Sequence, residues 1–275
     1  MITKAEIQSI RALADKRGRD EQRLFIAEGE KLVAELRTST QRVRRIYTTK
    51  PIWAEAEVIA EKDMERISQL KTANNALAVV ECPKYDIAAV DPTKNLVLAL
   101  DRVQNPGNLG TIIRLADWFG ITDIVCSVDS ADCFNPKVVQ ATMGAIIRVR
   151  VHYTDLAGWL ECQHNRGVNI YGTFLDGQNI YKADKSRCGV IVMGNEGQGI
   201  SAECEKSVTH RLYIPPYPAD RSGSESLNVA IATAITCSEF RRGLAVAKSD
   251  YSCSEVQKRA DGARVVAQLK NREVR

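Results

Sequence analysis

Residues 101 to 120 read Asp101-Arg-Val-Gln-Asn-Pro-Gly-Asn-Leu-Gly-Thr-Ile-Ile-Arg-Leu-Ala-Asp-Trp-Phe-Gly120. An apolar run at 95–100 precedes them. Two asparagines, a proline and two glycines then crowd into residues 105–110, after which Leu109, Ile112, Ile113, Ala116 and Phe119 recur at helical spacing. This is a strand, a tight loop and a helix. Asn108 stands where an N-cap belongs and Gly120 where a C′ glycine belongs. At 3.6 residues per turn Arg114 projects away from the Ile112 and Phe119 side, so Asn108 and Arg114 are expected to face a site at the carboxyl end of the strand.

Outward from this stretch the same alternation continues. Apolar strands are predicted at 96–100, 124–128, 146–151, 170–174, 190–193 and 212–214, with helices at 111–119, 136–143, 155–163, 202–207 and 227–242, the last stopped by Gly243. Short buried strands alternating with helices imply a mostly parallel α/β sheet covered on both faces, with its ligand at the carboxyl ends of the strands. Toward the N-terminus a smaller α/β unit is expected: a helix at 4–15, a charged loop at 16–23, a strand at 24–27, helices at 30–36, 53–60 and 63–70, and strands at 43–47 and 76–80. Two prolines and several charges break the pattern between Cys82 and Lys94. The expected organisation is therefore a domain at 1–84, a linker at 85–94, a domain at 95–245 and a charged tail at 246–275.

Composition narrows the class. The 275 residues are 44% hydrophobic, enough for two ordinary cores, and a net charge of +4 permits a nucleic-acid partner without demanding one. Basic residues cluster at Arg11, Lys16, Arg17, Arg19 and Arg23, at Arg42, Arg44 and Arg45, and again near the C-terminus. Each cluster alone also reads as a solvated helix face. The eight cysteines show no C-x-x-C and no short-range pairing with the three histidines, which argues against a metal site. With no signal-peptide core and no apolar run near the roughly 18 residues of a membrane span, a soluble, cytoplasmic protein with reduced thiols is expected.

Three loops carry chemistry. The first is 105–110 with Arg114. The second, 193–200, reads Met-Gly-Asn-Glu-Gly-Gln-Gly-Ile; its glycines let backbone approach a ligand, and Glu196 supplies a carboxylate. The third runs from Ile214-Pro215 through a polar excursion at 216–223 to Ser224-Glu-Ser-Leu-Asn-Val229, where Ser226, Asn228 and free amides open the last helix. Taken singly, Ser224 or Ser226 is a plain N-cap, Glu196 a solvated carboxylate and Arg114 a partner for Asp117. Rossmann and P-loop glycine patterns and the G-x-S-x-G elbow are missing, and His152, His164 and His210 lie away from all three loops in sequence.

In order and spacing these loops resemble the SpoU (TrmH-type) branch of the SPOUT RNA 2′-O-ribose methyltransferases. The matching residues are Asn108-x-Gly110-x-x-x-Arg114, Gly194-x-Glu196-x-x-Gly199, and Ile214-Pro215 followed by Ser226-Leu227-Asn228-Val229. Phe25-x-x-Glu28-Gly29-x-Lys31-Leu32-Val33 is similar to the small L30e-like RNA-binding domain that precedes many such catalytic domains. The resemblance implies S-adenosylmethionine as donor, a ribose 2′-hydroxyl of tRNA or rRNA as acceptor, a C-terminal trefoil knot and a homodimer. It assigns Arg114, Asn108, Glu196, Ser226 and Asn228 to the chemistry. Thr173, Gly194, Gly199, Ile214 and Leu227 are assigned to the donor, and Lys16, Arg17, Arg19 and Arg23 to RNA phosphates. Because arginine is effectively always protonated, Arg114 is expected to bind phosphate or stabilise the developing alkoxide, and to act as a base only if desolvated. Two departures stand out. The 216–223 excursion is longer than the family's short linker, which opens a role for Tyr217 or Arg221, and Asn105-Pro106 replaces the common Asp-Pro. The rival readings are a non-catalytic RNA-binding or ribosome-assembly scaffold of the same fold, and a different nucleotide-binding α/β enzyme.

Overall fold

The computed structural model describes residues 2–218 and 226–242. Arg221, Ser224 and Gly243, and the expected tail at 246–275, lie outside the described residues. In chain order the elements are α1 (Lys4–Ala12), α2 (Lys16–Gln22), β1 (Leu24–Glu28), α3 (Glu30–Thr38), β2 (Val43–Thr48), β3 (Glu57–Val58), α4 (Glu61–Ile67) and β4 (Ala76–Glu81). They continue with β5 (Leu96–Leu100), α5 (Pro106–Trp118), β6 (Asp123–Ser127), α6 (Pro136–Ala141), β7 (Arg150–Thr154), α7 (Leu156–Asn165), β8 (Ile170–Asn179), β9 (Gly189–Met193), α8 (Ala202–Glu205), β10 (His210–Tyr213) and α9 (Val229–Arg241).

Two sheets result. The first is mixed, ordered β1-β4-β2-β3, with β4 antiparallel to β1 and β2 and the short β3 parallel to β2. The second has six strands ordered β10-β8-β9-β5-β6-β7, and the pairings from β10 through β6 are parallel. The strands β5, β6 and β9 are buried along their whole length, as apolar strands covered on both faces must be. By internal contacts the chain forms two compact units, each discontinuous in sequence. One gathers Met1–Asp86, Val103–Trp118 and Asp129–Val151; the other gathers Ile87–Arg102, Phe119–Val128 and the chain from His152.

In the first unit, Ile7, Ile10, Leu13, Ile26, Tyr47, Met64, Ile67 and Leu77 close a core between helices and sheet. The Glu28-Gly29 pair has a structural reason to exist. Glu28 accepts from Ser68 Oγ at 2.6 Å and Gln69 N at 2.7 Å, tying the end of α4 to β1, and Gly29 takes φ +111° at the entry to α3. Residues 16–22, expected as a charged loop, form a helix instead. Gly18 lets α2 pass so close to α1 that a Cβ there would collide with Ala12, and Arg19 is 3% exposed. Its guanidinium donates to Asp132 Oδ2 at 2.6 and 2.9 Å and to the carbonyls of Leu13 and Ala14, while Phe25 stacks on Phe134 at 4.7 Å. Tertiary bonding has overridden the local charge pattern. Residues 53–60, expected as a helix, instead turn and add β3 to the edge of the sheet through Ile59 N to Thr48 O.

The second unit has its own core of Val97, Ala99, Val125, Leu160, Ile170, Val190 and Val192, with Cys204 among them. The run 146–151, expected as a strand, divides into a 3₁₀ turn at Ala145–Ile147 and the start of β7. Ile146 and Val149 are buried in either case, so apolarity alone could not choose between them. Burial pushes the Cys204 thiol up to about 11 and the Cys237 thiol up to about 12, which makes both inert small hydrophobes. Among the described residues no helix is long and apolar enough to cross a membrane.

Candidate active site

Helix α5 begins earlier than its sequence suggests, and this changes what Asn108 is. The cap is Asn105, whose Oδ1 accepts from the amides of Gly107 at 2.8 Å and Asn108 at 3.1 Å, with Pro106 at the first helical position. Asn108 therefore sits inside the first turn of α5 rather than at its cap. Leu109, Ile112, Ile113 and Ala116 are fully buried, whereas Arg114 is exposed, as the helical spacing predicts. Asp117 is bound by Arg148 through Nε at 2.9 Å and Nη2 at 2.8 Å, so it is not the partner of Arg114. Gly110 lets α5 rest against α6, since a Cβ there would lie 2.5 Å from that of Ala141. Gly120 has φ +64° just past the end of the helix.

In the other compact unit, parallel pairing brings the carboxyl ends of β10, β8, β9 and β5 to one edge of the sheet. The turn that follows β9 closes on itself. Asn195 N donates to Gly199 O at 2.9 Å, Gly199 N returns to Asn195 O at 3.0 Å, and Asn195 Oδ1 accepts from Gly197 N and Gln198 N. Gly199 takes φ +71°. At Gly194 a Cβ would lie 2.5 Å from the Gly199 oxygen, so only glycine fits there. Glu196 is exposed on this turn.

The same turn is bolted to the end of β5. Asn195 Nδ2 donates to Arg102 O at 2.7 Å, and Ser201 N donates to Asp101 Oδ2 at 2.6 Å. Asp101 is 2% exposed and pairs with Arg102 Nε at 3.4 Å; Arg102 itself is held at φ +56°, with its amide on Ser127 Oγ at 2.8 Å. Neither Asp101 nor Asn195 was singled out from the sequence. An Asn two residues before a glycine is the visible signal of the Asx turn that Asn195 makes, but nothing local marks the burial of Asp101.

Strand β8 contributes an excursion. It pairs with β10 through Tyr171–His210 and Gly172–Arg211 and again through Gln178–Leu212 and Asn179–Tyr213, so residues 173–177 bow out between the two registers. Thr173 opens the bow, with Oγ1 3.4 Å from Val192 O and 3.7 Å from Met193 Sδ, beside the start of the 194–200 turn. Arg211 braces it from below, stacked 3.6 Å over the Phe174 ring and ion-paired with Asp176 and Glu205. Ile214 follows β10 half-buried. Past the undescribed 219–225, Ser226 and the 48%-exposed Leu227 lead into α9, where Asn228 Oδ1 accepts from Ala230 N at 2.9 Å and Ile231 N at 3.4 Å. Asn228 is thus an N-cap, and Tyr217 is 91% exposed.

The histidines serve the fold. His152 Nε2 meets the buried Asp123 at 3.0 Å, His164 Nδ1 meets Ser207 O at 3.1 Å, and His210 Nδ1 meets Thr209 Oγ1 at 2.7 Å beside the Tyr171 ring. Of the residues expected on RNA phosphates, Lys16 and Arg17 are exposed, with Arg17 on Glu21 at 2.7 Å, and Arg23 is exposed at φ +53°. Arg19 is not available to phosphate, because its guanidinium is buried against Asp132.

Comparison with known proteins agrees with this layout. Residues 95–238 match the SpoU rRNA Methylase family, and residues 4–86 match the MRM3-like substrate binding domain. The chain is 30% identical over 245 residues, 86% of its length and 96% of the relative's, to the 23S rRNA (guanosine(2553)-2′-O)-methyltransferase RlmP of Bacillus subtilis. Among solved structures it is similar to a TrmH-family protein from Porphyromonas gingivalis (TM-score 0.79, 40% identity, 88% of this chain and 99% of that one). It is also similar to an AdoMet-bound rRNA methyltransferase from Sinorhizobium meliloti (TM-score 0.79, 30% identity, 90% and 97%).

Proposed function

The chain belongs to the SpoU rRNA methylase family, and from that premise we propose that it transfers a methyl group from S-adenosylmethionine to a ribose 2′-hydroxyl of ribosomal or transfer RNA. The observation that carries this reading is the edge formed by β10, β8, β9 and β5. There a glycine-only turn and a bowed strand lie side by side, in the same compact unit as the capped start of α9.

The residues present fit the donor. Thr173, Gly194, Gly199, Ile214 and Leu227 offer hydroxyl, backbone and apolar surface with no charge among them, which suits a ligand that carries its own sulfonium, amine and carboxylate. When bound, the donor supplies an electrophilic methyl group. The chain's residues would then hold and orient the acceptor, whose hydroxyl proton passes to solvent as the 2′-oxygen takes the methyl group, and positioning of that kind is worth several powers of ten. The exposed guanidinium of Arg114 suits an RNA phosphate or the charge that develops on the 2′-oxygen. Asn108, in the first turn of α5, and Glu196, Ser226 and Asn228 are assigned to orienting it and the ribose. Gripping of RNA phosphates is assigned to Lys16, Arg17 and Arg23 of the N-terminal region.

The trefoil knot and the homodimer belong to the same proposal and rest on the family resemblance, and a cytoplasmic location is proposed with them. Sedimentation of the purified chain tests the dimer.

The test of the reaction is transfer of labelled methyl from S-adenosylmethionine to total RNA of cells lacking the gene, run beside Arg114→Ala and followed by nuclease digestion. Ribose label that falls by at least about a hundredfold in the variant is expected, the scale of losing one preorganised charge contact. Absence of transfer by a protein that binds both donor and RNA would overturn the reading in favour of a non-catalytic scaffold.

A further inference from the structure

The N-terminal sheet carries a basic cleft at one end. At the end of the sheet where β1 and β2 begin and β4 finishes lies an open cleft of about 530 Å³, whose lining includes Arg23, Arg42, Arg44, Lys84, Glu81 and Cys82. Four cations face one carboxylate. Burial pushes the Cys82 thiol up to about 12, so that residue adds no negative charge.

Two backbone irregularities place these arginines. Arg23 ends α2 in the left-handed conformation, φ +53°, with its carbonyl fixed by Cys82 N at 2.9 Å. Non-glycine residues seldom occupy that region, and doing so has an energetic cost. On β2 the pairing steps from Val43–Val80 to Arg45–Val79, which leaves Arg44 as the extra residue of a β-bulge. Bulges re-aim side chains. Here the effect is to put Arg44 Nε 2.6 Å from Glu81 Oε1, while Arg42 reaches Glu81 Oε2 at 3.9 Å. Arg45, next along, turns instead to Glu6 and Glu57. Both arginine side chains remain mostly exposed, so their single shared carboxylate leaves most of their donors unspent.

We propose that this cleft is an RNA-backbone site, in which Arg42 and Arg44 bind successive phosphates, with Arg23 and Lys84 flanking, and Glu81 competes with the phosphates for the two arginines. The spacing of fork-shaped donors along one strand suits a phosphodiester chain, and no base-reading side chain is required. The proposal rests on the RNA reading above and assigns a docking subsite to it.

The decisive experiment uses the full chain and RNA from the deletion strain, measuring KM for RNA, kcat, affinity for S-adenosylhomocysteine and the salt dependence of RNA binding. Arg42→Ala with Arg44→Ala should raise KM on the order of tenfold and make the log K against log salt slope shallower by roughly 1.4 to 1.8, two phosphate contacts' worth. Product affinity and kcat should stay as in the parent. Glu81→Gln should act in the opposite direction and tighten RNA binding, because it releases both arginines. A purely structural role for Glu81 predicts weakening instead. Unchanged KM and slope in the double variant, or weakening by Glu81→Gln, overturns the cleft while leaving the methyltransferase reading intact. If no RNA is methylated, that reading fails by itself, and the cleft still stands or falls on RNA binding and its salt slope.

Discussion

Single residues in this protein are constrained by space and by solvation more than by chemistry. Gly194 is the clearest case. Its missing Cβ would overlap the returning strand of the 194–200 turn, whereas Gly197 on the same turn has nothing closer than Asn195 Oδ1 at 3.8 Å. Gly194→Ala should therefore cost about 1–3 kcal/mol from overpacking and weaken S-adenosylhomocysteine binding, while Gly197→Ala stays near the parent in both. Calorimetric titration of the pair reads this directly, and equal behaviour of the two variants would remove the steric argument. Glu28 illustrates solvation. Burial raises its carboxyl above the ordinary value, outweighing the hydrogen bonds from Ser68 and Gln69 that pull it down. The folded state thus keeps the Glu28 proton to higher pH than the unfolded chain does. Its contribution is full below the ordinary carboxylate pKa and is lost as pH rises through the raised folded value. The unfolding free energy of the parent minus that of Glu28→Gln should fall across this window, and urea midpoints at a series of pH values would show it. A pH-independent difference would mean that the two hydrogen bonds cancel the burial.

At the scale of elements, the outcome turned on which residue closes each helix. An asparagine at either 105 or 108 satisfies the N-cap preference, so the sequence pattern could not separate them. Pro106 settles the matter physically, because its locked φ and missing N–H suit the first helical position and place the cap one residue earlier. Asn105→Ala should cost α5 about 1 kcal/mol, seen as a lowered denaturant midpoint. Asn105→Asp should retain it, since a carboxylate accepts the same two amides and suits the helix N-terminus. A full loss in the Asp variant would show that the Asn amide has a duty beyond capping. Helix α2 makes the complementary point. Its sequence, Lys-Arg-Gly-Arg-Asp-Glu-Gln, has no apolar face from which a helix could be inferred. Its burial comes from a glycine contact with α1 and from the Arg19–Asp132 pair, and those partners are more than a hundred positions apart.

For the whole molecule, the sites proposed for RNA and for donor would work by physically different means. Phosphate contacts release counterions, whereas the residues proposed for the donor are uncharged. Raising salt from 50 to 200 mM should weaken RNA binding by at least about tenfold and leave S-adenosylhomocysteine affinity within twofold, measured on the same preparation. Parallel loss of both affinities would count against separate electrostatic docking. By itself the sequence determined the α/β class, the parallel sheet, most strands of both sheets, the three loops in their order and, through those loops, the family. These follow from periodicity and from glycine, proline and asparagine chemistry, which act within a few residues. Only the tertiary structure decided that Arg19 is an internal strut, that Asp101 and Asn195 clamp the end of β5 to the neighbouring turn, and that Arg23, Arg42 and Arg44 share one cleft. It also showed that the compact units are discontinuous in sequence. Each of those facts depends on the burial of a charge or the meeting of distant backbone, and neither leaves a local pattern to read.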